Sequence, residues 1–150
     1  MRRKDLFMGS TEVEASRTIG EITAYLVRMG ANQISTQYDD KTREPIALYF
    51  SLTVRGNMIP FTLPARVEPV FNIINAGSHG RDKFKDMTQA KRVAWRQIYR
   101  WIQAQLALIE TGMVTADEVL MPYIQVGPNE TLYQRAVTGG FQKLLAPPTT

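Results

Sequence analysis

Seven cationic side chains in one short window are the part of this chain best equipped for chemistry. Between residues 81 and 100, Arg81, Lys83, Lys85, Lys91, Arg92, Arg96 and Arg100 stand against only Asp82 and Asp86. That local excess of five charges exceeds the net charge of the whole chain, which is +4. Arg92, Arg96 and Arg100 recur every fourth residue, so on a helix they form one row that rises about 6 Å per step, close to the phosphate spacing along a strand. A guanidinium donates two parallel hydrogen bonds to a phosphate, and Lys83, Lys85, Lys91 and Arg81 would extend the track. A localised patch of this kind suits an acidic partner such as nucleic acid. Two plainer readings compete with it: a solvated helix face, or arginines paired with Asp or Glu of neighbouring elements.

Other chemistry is thinly supplied. The chain has no cysteine and a single histidine, His79, in the Gly-rich stretch Ala76–Gly80. That excludes Cys/His nucleophilic pairs, a disulfide scaffold and a thiolate metal site. A Ser-His-acid triad would have to use His79, and no nucleophile-elbow motif accompanies it. Asp39 and Asp40 are adjacent and read as turn formers rather than as metal ligands. Neither a GxxxxGK[ST] nor a GxGxxG motif occurs. The expectation is a non-enzymatic binding protein without a cofactor or a metal.

The elements that must position the basic row follow from periodicity. Trp95, Ile98, Ile102, Leu106 and Ile109 recur at steps of three and four, with Trp101 and Leu108 beside them. This predicts a long central helix from about Thr88, its cap, to Thr111, with an apolar spine and a cationic side. Upstream, Ile19, Ile22, Leu26 and Met29 predict helix 17–29, with Ser16 as cap and Gly30 as its left-handed end. A short edge strand around Thr11–Ala15 could precede it.

Between the two helices lies a predicted meander. Asn32–Tyr38 is followed by a polar turn over 39–45. Ile46, Leu48, Phe50, Leu52 and Val54 then alternate with Ala47, Tyr49, Ser51 and Thr53. A two-residue turn at Gly56-Asn57 would pair Val54 with Ile59, Leu52 with Phe61 and Phe50 with Leu63. The opposite sheet face, including Gln33, Gln37, Tyr49, Thr53 and Thr62, is polar but uncharged. It is a second candidate surface, for a protein partner or a nucleic-acid strand, with Tyr49 and Thr53 at its centre.

The whole reads as one domain, residues 1–150, with a loose leader over 1–10 and a mobile basic loop over 76–86. Val70, Phe71, Ile73 and Ile74 suggest a short segment anchored in the core. After the central helix a small helical cap is expected: Thr115 opens a short helix, Tyr123–Val126 is a short strand, and a last helix covers 132–137. Phe141, Leu144 and Leu145 would pin the tail. The fold class is α+β, in the order α-β-β-β-α plus that cap. The start, Met1-Arg2-Arg3-Lys4, lacks the apolar stretch of a signal peptide, and no apolar run is long enough to span a membrane. A cytoplasmic protein is expected.

From Thr11 on, the chain resembles a family of small uncharacterised proteins encoded by bacteriophages, prophages and other mobile elements. The residues that carry the resemblance are Ile19-Gly20-Glu21-Ile22 through Arg28-Met29-Gly30-Ala31, Phe61-Thr62-Leu63-Pro64, Trp95-Arg96 with the run Ala104 to Gly112, and Leu144-Leu145-Ala146-Pro147. The resemblance implies a phage setting and carries over no site. The element order also looks like double-stranded-RNA-binding domains and like the core of single-strand annealing proteins, a likeness of fold only. The Gly-Pro loop of the first group is absent, and the excursion from Ala65 to Asp86 departs from it. The partners expected are nucleic acid, through the basic helix face, or else a host or phage protein on which the chain docks, for instance as an inhibitor of host defence. Both allow a homo-oligomer, and neither involves a membrane.

Overall fold

Alternating apolar residues in two neighbouring stretches build the centre of the molecule. The computed structural model describes Arg2 and residues 5–148; Met1, Arg3 and Lys4 of the basic start, and Thr149 and Thr150, lie outside them. Strands β1 (Asn32–Tyr38), β2 (Pro45–Val54) and β3 (Asn57–Pro64) form an antiparallel meander in the order β1-β2-β3. The β2–β3 register is Leu48 to Leu63, Phe50 to Phe61, Leu52 to Ile59 and Val54 to Asn57. It differs by two residues from the expected pairing, because the turn is Arg55-Gly56 rather than Gly56-Asn57. Both turn residues have positive φ, +51° and +85°, as a tight hairpin turn requires. A shift of two preserves side-chain parity, so the same apolar face stays inward. In β1 one extra residue beside Gln33, whose φ is +49°, makes a bulge that leaves Ile34 packed on the core.

Two helices cover the apolar face. Helix α1 (Ala15–Arg28) buries Ile22 and Leu26 completely. The residues before it form no strand, and Ser16 lies inside the helix rather than capping it. Glu14 occupies the cap position without bonding a free amide. Gly30 ends the segment at φ +101°, a conformation that suits glycine. Helix α3 (Lys83–Glu110) starts five residues before the expected Thr88, because Asp82 accepts from the Lys85 amide at 3.0 Å and caps it there. Thr88 instead bonds back to the Phe84 carbonyl. Trp95 and Ile102 have no exposed surface and meet Ile22, Leu26, Phe50, Leu52 and Phe61 in one core.

The segment from Ala65 to Asp86 is not one loop. Val67–Gly77 is helix α2, with Val67, Val70, Phe71 and Ile74 on a stripe that packs against Ala90 and Val93 of α3. Pro69 sits in its first turn, where a missing N–H costs nothing. Only Ser78–Asp82 connects the two helices. Residues 5–10 of the leader, expected to be loose, lie along α3 together with Thr11. The Gln89 amide donates to the carbonyls of Gly9 (3.0 Å) and Thr11 (2.9 Å), and Gln97 donates to that of Phe7 (2.8 Å).

The C-terminal part holds α4 (Ala116–Leu120), the hairpin β4 (Gln125–Gly127) and β5 (Glu130–Thr131), and α5 (Leu132–Gly139). Thr131 and Gln134 form a capping box for α5. Phe141, Leu144 and Leu145 do not pin the tail: they are 53, 68 and 62% exposed. The fold is α+β. Ile102→Ala should lower stability by about 2–5 kcal/mol through lost transfer energy and the cavity left behind. Urea denaturation checks this; a loss under about half a kcal/mol would show that the α3 face is not the core.

Candidate nucleic-acid interface

The basic row of α3 does not face open solvent. It lies along the seam with α1, where carboxylates from other elements reach several of its members. Arg92 pairs with Glu14 and also donates to Gln89 at 3.4 Å, while its Nε is buried without a hydrogen-bond partner. Arg96 donates to Glu21 at 3.1 Å, and its guanidinium lies 3.9 Å from the centre of the Tyr99 ring. Lys91 pairs with Glu44, just before β2, at 3.1 Å. Counting Glu14, Glu21 and Glu44, the excess of this window falls from +5 to +2.

Arg100 stands apart. It donates to Gln103 at 2.9 Å and lies 5.5 Å from the Tyr99 ring, but no carboxylate pairs with it among the described residues. Arg17 of α1 binds the second oxygen of Glu21 at 3.2 Å. One carboxylate thus serves Arg17 and Arg96, with Arg100 a turn further on. Arg96 and Arg100 also line a hollow of about 410 Å³ whose other wall is the leader, with Ser10 and Thr11. These hydroxyl residues were not singled out in the sequence. Only the tethering of the leader by Gln89 and Gln97 brings them there.

Beneath the arginines, Tyr25 and Tyr99 stack with centroids 5.4 Å apart, and their hydroxyls are 3.3 Å apart. The hydrogen bond with Tyr25, followed by burial, pushes the Tyr99 phenol above its usual value of 10.0. For Glu21, burial opposes ionisation. The hydrogen bond and charge of Arg96, then those of Arg17, outweigh it, so its carboxyl titrates below the usual 4.5.

The remaining cations are at the far end of α3. Arg81 bonds the Ser78 carbonyl at 3.0 Å, and Lys83 and Lys85 are exposed without ion pairs among the described residues. Phe84 between them is 85% exposed. Of the second candidate surface, Thr53 is exposed. Tyr49 is half-buried in a hollow of about 200 Å³, because Gln125, Thr131 and Gln134 of the C-terminal hairpin and α5 cover that part of the sheet. His79 is exposed, and Asp39 accepts from the amides of Thr42 (2.8 Å) and Lys41 (2.9 Å), a turn-forming role. Among the described residues no three His, Asp or Glu side chains could together hold a metal ion, and no helix is long and apolar enough to cross a membrane. Comparison with protein-family models, curated proteins and solved structures finds no match to the chain.

The seam makes a pH-dependent contribution. Because the folded-state pKa of Glu21 is lowered, its ionisation stabilises the fold above the unfolded value and that stability is lost as pH falls through the folded value. Glu21→Gln should therefore be less stable than the parent near neutral pH, by about 1 kcal/mol, since it strands the largely withdrawn Arg96 while water screens the exposed Arg17 pair. The gap should close below the glutamate range. Denaturation at both pH values tests this; an equal gap at both would contradict it.

Proposed function

We propose that this is a non-catalytic nucleic-acid-binding protein whose phosphate contacts centre on Arg100 beside Ser10 and Thr11, with Arg96, tied to Glu21, holding the inner side of the same hollow. Arg17 flanks them, and Arg81, Lys83 and Lys85 form an outlying contact. The observation that carries this reading is the charge imbalance around Glu21, where two arginines share one carboxylate and a third has none. A phosphate at the mouth of the hollow, whose lining also holds Leu6, Met8 and Val13, would meet the Arg100 guanidinium beside Ser10 and Thr11. Exposed Phe84 between two lysines adds a ring on which a base of a single strand could stack. Lys91 and Arg92, whose charges are answered by Glu44 and Glu14, have a structural role in this reading. In the phage setting that the sequence resemblance implies, such a protein would serve recombination or annealing.

A second reading rests on a different surface. Tyr133, Val137, Phe141, Leu144 and Leu145 leave five large apolar side chains 49–68% exposed on α5 and the turn after it. Clusters of this kind mark protein contacts, so docking on a host or phage protein is the alternative.

Salt dependence separates the two. Binding of a single-stranded oligonucleotide, followed by fluorescence anisotropy, should weaken steeply as salt rises, by about 0.7 log units per log unit of salt for each phosphate neutralised. Arg100→Gln should flatten that slope by about one phosphate equivalent, similarly on different sequences. Arg92→Gln should reduce stability and leave the slope unchanged. Glu21→Gln should tighten binding although it weakens the fold. No binding at low salt, or an Arg100 variant that binds like the parent, would reject the nucleic-acid reading and favour docking.

A further inference from the structure

Arg66 is a cation that the fold leaves unmatched, in a different place from the arginine seam. It precedes α2, is exposed, and has no carboxylate partner among the described residues. It stands at the rim of a hollow of about 280 Å³ between the end of β3, α2 and α3. The lining is mixed: Leu63, Val70 and Ile98 stand with the rings of Trp101 and Tyr123, which meet edge to face at 5.8 Å, and Gln97 adds a neutral amide beside Arg66. No Asp or Glu lines it.

We propose that this hollow binds a small organic carboxylate with one aromatic ring, its body against Trp101 and Tyr123 and its charge on Arg66. The chemistry of the walls selects that class. The rings of Trp101 and Tyr123 offer an aromatic body a surface to pack on, and a single guanidinium beside them favours one negative charge. A cation would meet Arg66, and a neutral ring would forgo the charge-assisted bond. The volume, about 280 Å³, falls just below the range of about 300–1,000 Å³ usual for small-molecule sites, which limits the ligand to one ring. The site goes beyond the nucleic-acid reading and does not depend on it: none of the seam's arginines lines it, and the one shared residue is Gln97, which holds the leader.

The chain carries its own reporter. It has two tryptophans: Trp95 has no exposed surface, whereas Trp101 lines the hollow. Phenylacetate is the probe and phenylacetamide its neutral counterpart, titrated into the full chain and read by tryptophan fluorescence. Phenylacetate should give a saturable change, and the amide should bind at least about tenfold more weakly, since a hydrogen bond to a charged group is the stronger one. Arg66→Gln should bring the acid down to the affinity of the amide. Its side chain makes no capping bond, so α2 should persist. Trp101→Phe should abolish the signal. No saturable change at millimolar phenylacetate, equal binding of acid and amide, or an Arg66→Gln variant that keeps the preference would each overturn the proposal.

Discussion

The structure depends on one long helix being packed on several sides at once. Trp95, near the middle of α3, is the largest side chain with no exposed surface, and it fastens that helix to the sheet and to α1. Ala90 and Val93 receive α2, and Gln89 and Gln97 hold the leader. A helix of 28 residues, about 42 Å long, has few unoccupied directions left once these contacts are made. Its arginines are confined to the seam with α1, partly withdrawn from water, where a guanidinium needs a partner. The carboxylates of Glu14 and Glu21 on the α1 side are the response to that constraint.

Structural and functional arginines then differ by what answers their charge. The Arg96 side chain is only 13% exposed, held by Glu21 and stacked over Tyr99. An ion pair this withdrawn adds little net stability, because desolvation offsets attraction, but removing one partner strands the other. Its role is to set how α1 sits against α3, with the cation–ring contact contributing about 0.5–2 kcal/mol. Arg100 carries no such obligation. The same row of the helix changes from an internal tie to an available cation within two turns, at the point where α1 supplies no further carboxylate to it.

Periodicity made much of the fold legible. The three strands, α1 and the spine of α3 follow from the two- and 3.6-residue patterns of their own residues. The hairpin shows where such reading stops: Arg55-Gly56 and Gly56-Asn57 both satisfy the parity of the apolar face, and only the paired backbone chooses between them. Helix α2 was hidden because Pro69 and the glycines after it look like loop signals, although Val67, Val70, Phe71 and Ile74 already carry helical spacing. The seam itself was only half legible. Arg92, Arg96 and Arg100 could be placed on one face, but their partners Glu14 and Glu21 are more than seventy positions away in sequence. Ser10 belongs to a leader with no periodic signal, and the alternation that begins at Thr11 suggests a strand that does not form. Apolar residues at the tail say nothing by themselves about burial, and Leu144 and Leu145 turned out exposed.

The seam account is tested most directly by mapping where a strand lands. In an amide and arginine side-chain chemical-shift titration with a short single-stranded oligonucleotide at low salt, the largest changes should fall on the Arg100 guanidinium and the amides of Ser10 and Thr11. Arg92, held by Glu14, should stay unperturbed. Changes confined to α5 and Phe141–Leu145, or no changes at all, would contradict the account.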